Sequence, residues 1–229
     1  QLWPFSLGEN PFGQNTIGKD YFALVMQGTQ KSVIIAFVVG FIATAIGTVV
    51  GSAAGYFRGR VESVLMRATD LVIIIPLLVL AAVLGRMVDG ANIYILAGVL
   101  GLVVWTGMAR LVRGEVLSLR EREFVHAAKA IGTSDWRIIF RHILPNCIGT
   151  IVVNSTLLIA SAILLETALS YLGFGVRAPE SSLGLLISQN QEAMDTRPWL
   201  FWWPGLFILV IALCVNFIGD GLRDAFDPR

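Results

Sequence analysis

HAAKAIGTSDWRIIFRHILPN, residues 126–146, interrupts a chain that is otherwise mostly apolar. With the residues just before it, Phe124, Ala127, Ala128 and Ile131 fall on one helical face, and Gly132 follows where a left-handed residue ends a helix. Thr133 or Ser134 stands where a second helix would be capped. Trp136, Ile139, Phe140 and Ile143 then recur at helical spacing before Pro145. The pattern predicts two short amphipathic helices at a sharp turn, a stiff projection fixed between apolar runs. Its small residues, Ala127, Ala128 and Gly132, leave room for another surface to come close.

The surrounding composition is that of a membrane protein. Hydrophobic residues make up 55% of the 229 and charged residues 14%, and mean hydropathy is +0.73, more than a soluble domain of this size needs to fill its core. Four uncharged runs, 33–57, 90–109, 143–165 and 198–219, reach the roughly 20 residues that cross the hydrocarbon layer. A fifth, 68–85, contains Asp70 and Pro76 and is expected to be a helix kinked at the proline. The fold class expected is therefore all-α: a polytopic helical membrane bundle with five spans in this chain and residues 1–32 as an extracytoplasmic loop.

Charge sets the orientation. With the 110–142 segment in the cytoplasm, all of the 17 Lys and Arg lie inside except Lys19, Lys31, Arg86, Arg177 and Arg197. Trp199, Trp202 and Trp203 then fall at the outer interface. The first loop lies outside as well, which predicts a further helix ahead of Gln1 and so six spans in all.

Gly47, Gly51, Gly55 and Gly59 recur every four residues beside Gly40, Thr44, Thr48 and Ser52. One side of that helix is almost without side chains, so another backbone can pack closely on it. Asp70, Glu166 and Asp220 are acids in or beside apolar runs, where a charge at mid-bilayer costs about 2.5–3.5 kcal/mol. Asp70 and Asp220 are expected to reach the interface or an arginine. Glu166, with Asn154, Ser155 and Ser161, is the better candidate for lining a polar path, a purely structural role being the alternative. Cys147 and Cys214 read as buried small hydrophobes, and His126 and His142 as interfacial polar residues with no metal.

The 126–146 stretch resembles the EAA loop of ABC importer permeases: Glu-Ala-Ala, three residues, Gly, nine residues, then an apolar-x-Leu-Pro ending. His126-Ala127-Ala128, Gly132 and His142-Ile143-Leu144-Pro145 occupy those places, with His126 replacing the glutamate and His142 the apolar residue. NPFGQNTIGKDYFALVMQGTQKS (10–32), LSYLGFGVRAPESSLGLLI (169–187) and FIGDGLRDAFDPR (217–229) are similar to the outer loop, outer turn and C-terminal segment of the C-type subunit of dipeptide, oligopeptide and nickel permeases.

The resemblance implies that residues 33–229 form a transmembrane permease domain of an ATP-driven importer, for peptides, in the bacterial cytoplasmic (inner) membrane. The implied partners are a second permease subunit, two ATP-binding subunits and an extracytoplasmic solute-binding protein. This chain would have no catalytic residue and bind no cofactor, ATP and Mg belonging to the partner ATPases; no G-x-x-x-x-G-K-[ST] loop occurs in it. The coupling loop spans about 118–143, and His126, Ala127, Ala128, Ile131, Gly132, Thr133, Asp135 and Trp136 carry its ATPase contacts. An outer half-helix at about 180–195 starts near Ser181 or Ser182, buries Leu183, Leu186 and Ile187, and with the first loop meets the binding protein.

Three other readings compete. A DNA-binding helix-turn-helix at 121–144 has the right outline, but it would lie between membrane spans, so no nucleic-acid partner is expected. An intramembrane aspartyl protease on Asp70 and Asp220 lacks its motif, since Phe217 stands where a glycine is needed and Thr69 precedes Asp70. A secondary transporter or channel subunit, not driven by ATP, would suit the intramembrane acids and Pro76, but no internal repeat supports it.

Overall fold

The structure is a computed structural model and describes residues 10–87 and 92–226. The first nine residues of the expected outer loop, the start of the 90–109 run and the last three residues of the C-terminal segment lie outside that range. Ten α-helices account for most of the described residues, among which the sole β pairing is the isolated bridge between Gln14 and Asp20. Three stretches are long and apolar enough to cross a membrane, Tyr21–Phe57, Asp135–Tyr171 and Trp199–Phe226, and the count reaches five if two bent pairs each form one span.

Helix α1 (Tyr21–Phe57) begins well before the expected loop ends at residue 32. Asp20 explains the early start: its carboxylate oxygens accept from the N–H groups of Phe22 (3.1 Å) and Ala23 (3.4 Å), a full N-cap. The expected kink at Pro76 is a break instead. Helices α2 (Gly59–Ile74) and α3 (Leu77–Met87) are separated by Ile75 in extended geometry, φ −76 and ψ 126, because a proline disfavours helical backbone in the residue before it. The next run also divides, at Trp105, into α4 (Ile93–Val104) and α5 (Thr106–Arg120).

After α6 (Glu123–Ala130) and α7 (Asp135–Ile138), a π-helical turn at Ile139–Ile143 leads directly into α8 (Leu144–Tyr171). The second of the two expected short helices is therefore the start of one continuous helix from Asp135 to Tyr171. Pro145 does not end it. It sits in the first turn of α8, and the widened turn before it, where Leu144 N–H reaches Ile139 O, makes room for a ring that donates no hydrogen bond. Helix α9 (Leu183–Asn190), a 3₁₀ turn at Gln191–Ala193 and α10 (Trp199–Phe226) complete the chain.

The residues separate into two compact units. One comprises the described chain up to Val39, with Leu78–Leu100 and Ile159–Val215. Here Tyr21 is fully buried and donates to Leu200 O, Phe12 stacks on Trp203 at 3.9 Å, and Lys31 pairs with Glu180 at 3.1 Å.

The other unit comprises Gly40–Leu77, Gly101–Leu158 and the described residues from Asn216. Its core gathers Tyr56, Val112, Val116, Val125, Ala128, Ile138, Ile139 and Ile143. The glycine stripe packs within it: a methyl built on Gly47 would lie 2.6 Å from Met108 Cβ, and one on Gly55 would lie 2.8 Å from Arg113 O. The close approach is thus between α1 and α5 of the same chain. Gly59 leaves the stripe, having φ 56 at the start of α2 directly after Arg58 with φ 55. Cys147 is buried, whereas Cys214, expected inside, is exposed on the apolar helix α10.

The α1–α5 packing gives a direct test. Gly51→Ala places a methyl 2.8 Å from Val112 Cβ and should cost about 1–3 kcal/mol through overpacking, lowering the thermal midpoint of the detergent-purified protein. Gly98→Ala, inside α4 with nothing within 4 Å, should not lower that midpoint, since alanine is the better helix former.

Candidate functional site

The projection read from the sequence is built by α6, its terminal turn and α7. Gly132 adopts φ 78, and two reverse bonds close the end of α6, Thr133 N–H to Ala128 O at 3.1 Å and Gly132 N–H to Lys129 O at 2.9 Å. That pair of bonds is a Schellman motif, which fixes the direction in which the chain leaves the helix. Ser134 occupies the N-cap position of α7 with no side-chain cap bond. The expected hydroxyl cap is absent; the start of α7 is tied instead to the end of α1 by Tyr56, whose hydroxyl donates to Asp135 Oδ1 at 2.6 Å.

Tyr56 gathers further contacts. Arg120 Nη1 donates to its carbonyl at 2.7 Å, and Lys129 Nζ lies 5.0 Å from its ring centroid, within cation–π range. Beside it, Arg58 pairs with Glu121 at 3.2 Å, and His126 Nε2 is 4.0 Å from the other Glu121 oxygen. Nothing in the local sequence pattern marked Tyr56, since its partners lie in distant segments.

The eight expected contact residues do not share one face. Ile131 is 82% exposed, Trp136 56% and Phe140 57%, while Ala128 is only 5% exposed. His126, Ala127, Gly132 and Asp135 are exposed, and Thr133 is half-buried. Ala128 therefore belongs to the core of its own unit beside Val125, and leaves the outward surface to Phe124, Ala127, Ile131 and Trp136. Trp136 is braced by Phe57 and Phe140, each with ring centroids at 6.0 Å. A firmly supported apolar surface thus stands open at the end of the projection.

The four residues expected along a path are dispersed. Asn154 Nδ2 donates to Thr150 O at 2.8 Å and Ser155 Oγ to Val152 O at 2.7 Å, both returning to their own helix. Ser161 is exposed. Glu166 is 0% exposed and lines no open space in this structure. Its Oε1 accepts from Ser170 Oγ at 2.6 Å and its Oε2 from Ser32 Oγ at 3.1 Å. One donor comes from its own helix a turn later and the other from α1. Of the other acids, Asp70 pairs with Arg110, as Glu62 does with Arg113, and Asp220 is exposed.

One further segment bears on nucleotide binding. Gly13-Gln14-Asn15-Thr16-Ile17-Gly18-Lys19-Asp20 has phosphate-loop spacing except at its last position. Asp20 there caps α1 with its own carboxylate, so the helix N–H groups that would receive a phosphate are already satisfied.

Comparison with known proteins identifies a family. Residues 47–229 match the family model described as binding-protein-dependent transport system inner membrane component. The oligopeptide transport system permease protein OppC of Mycobacterium tuberculosis (strain ATCC 25618 / H37Rv) is 42% identical over 217 residues, covering 94% of this chain and 75% of the relative. Its counterpart in Escherichia coli (strain K12) is 43% identical over 218 residues, covering 95% and 72%. A solved inward-facing conformation of the MetNI methionine ABC transporter superposes with a TM-score of 0.71 at 19% identity over 90% of this chain and 98% of that one, a likeness of fold.

Tyr56→Phe should loosen the projection without unfolding the chain. Losing the bond to Asp135 should cost about 1 kcal/mol and raise hydrogen exchange at residues 133–138. Gly132→Ala, forced to a left-handed φ, should cost about 1–2 kcal/mol and show the same local signature.

Proposed function

The chain belongs to the family of binding-protein-dependent transport system inner membrane components, and on that premise we propose that it is a permease subunit of an ATP-driven peptide importer. The observation that carries the proposal is the braced, exposed surface of Ile131 and Trp136 on a projection whose other face is packed into its own unit. A surface of that kind needs a partner. The family supplies one in kind, a nucleotide-hydrolysing subunit on the cytoplasmic side, which agrees with the arginine-rich 110–142 segment lying inside.

Coupling in such a machine is a free-energy relation. ATP binding to the partner alters transport only if the partner contacts the projection differently in its two states. The Schellman turn and the Tyr56–Asp135 bond support this reading, since each restrains the projection against the helices it joins. Because α7 continues without a break into α8, a displacement of Trp136 is carried into a membrane-spanning helix. Its partners in the proposed complex are a second permease subunit, two ATPase subunits that bind ATP and Mg, and an extracytoplasmic solute-binding protein. Peptides are the proposed solute because the similar OppC chains are named oligopeptide permeases. The setting is the bacterial cytoplasmic membrane.

Ile131→Asp and Trp136→Asp should each leave the permease pair assembled while weakening capture of the ATPase subunits about ten-fold or more. Co-purification of the complex, followed by ATP-dependent peptide uptake in proteoliposomes, measures both. Wild-type levels of ATPase capture and uptake in these variants would overturn the assignment, and uptake without ATP would favour a secondary transporter.

A further inference from the structure

The buried carboxylate of Glu166 is left without a role by the reading above, and its surroundings suggest one. Ser32 Oγ donates to Glu166 and accepts from Leu183 N–H at 3.2 Å. Ser170 Oγ donates to Glu166 and accepts from Val176 N–H at 3.0 Å. Ser182 Oγ donates to Ser170 Oγ at 3.4 Å and accepts from Leu185 N–H at 3.2 Å. Leu183 and Leu185 belong to the first turn of α9, so two of its end N–H groups connect through hydroxyls to one carboxylate. A relay of hydroxyls thus ties that helix end to one side chain of the neighbouring helix.

Packing around the same point is equally close. A Cβ on Gly184 would lie 2.7 Å from Thr167 Cα and 3.0 Å from Ser170 Cβ, and one on Gly28 would lie 3.2 Å from the Ser182 carbonyl carbon. Gly28 and Ser32 are one turn apart on α1; Glu166, Thr167 and Ser170 are one turn of α8. The N-terminus of α9 is therefore clasped between backbones at two glycines and fastened by the Glu166 network at their centre. An apolar cluster would be cheaper to bury, but it would not fix the position of the helix end in the way directional bonds do.

We propose that Glu166 is the positioning residue that fastens the N-terminus of α9 to α1 and α8, so that a solute-binding protein engaging α9 acts on the helix whose other end begins at the coupling projection. The inference rests on the importer reading for its functional arm, in which the binding protein meets α9 at its exposed Gln189 and half-buried Leu185 and Ser188. Its structural arm stands independently.

The test uses the assembled complex with wild type, Glu166→Ala, Glu166→Gln and Ser32→Ala, measuring amide exchange at 183–190 together with basal and binding-protein-stimulated ATPase. Expected for Glu166→Ala is exchange in α9 about ten-fold faster or more, with 123–143 unchanged. Basal ATPase should be kept and most of the stimulation by loaded binding protein lost. Glu166→Gln, which retains shape and one acceptor, should recover part of both, an outcome that mere loss of folding would not produce. Should Glu166→Ala fail to assemble, Ser32→Ala removes one arm of the network and decides on the same criteria. Wild-type α9 exchange and wild-type stimulation in an assembled alanine variant would overturn the proposal. An unstimulated wild-type complex would instead count against the importer reading, leaving the exchange comparison to judge the fastening.

Discussion

The continuity of the helix from Asp135 to Tyr171 is the constraint on which the rest of the chain depends. A helix crossing hydrocarbon must satisfy its backbone internally, and a proline in its path normally removes one bond and collides with a carbonyl. The π turn at Ile139–Ile143 absorbs that conflict before Pro145, so the helix starts in the polar projection and ends among the serines around Glu166. Without it, Trp136 and Glu166 would belong to separate elements. With it, the projection is not a loop hung between spans but the exposed beginning of one of them.

The glycines of α1 serve a related end. Gly47, Gly51 and Gly55 admit the backbone and side chains of α5, and Tyr56, immediately after them, holds Asp135. α5 leads into α6 through Glu121 and Arg122, and the Arg58–Glu121 pair lies at the same junction. The projection is thus held at both of its roots by the helix that packs most closely beneath it. Dispersion contacts at small residues locate α1 against α5, and a single phenolic hydrogen bond transfers that location to α7.

The sequence made some of this plain and concealed the rest for physical reasons. Long uncharged runs and arginine placement read directly as a membrane chain, and Gly132 read as a helix stop, because each is a local property. The early start of α1 was hidden by Gln27, Thr29, Gln30 and Lys31, a polar run that looks like loop until Gly28 and Ser32 are seen meeting α9. Pro76 was visible, but the choice between kink and break lay with Ile75. Ala128 was read as outward because its helical face also holds Ile131; only the packing of Val125, Ile138 and Ile139 shows which side is covered. The hydroxyls around Glu166 could not be read, since they are distant or separated by a turn, and no periodicity connects Ser32 to residue 166.

The chain handles its acids in distinct ways, and the contrast identifies the unusual one. Asp20 spends its charge on the N-terminus of the helix it precedes. Glu62 and Asp70 face Arg113 and Arg110 across α2 and α5, the arrangement expected where side chains still reach water. Glu166 alone among these has hydroxyls in place of a cation and is wholly enclosed. A lysine or arginine could have partnered it, but a long flexible cation would reach it from many positions. Serines on short side chains bond from very few, and each brings a backbone N–H with it. The cost of burying the carboxylate is accepted where position, rather than charge balance, is what the helix end requires.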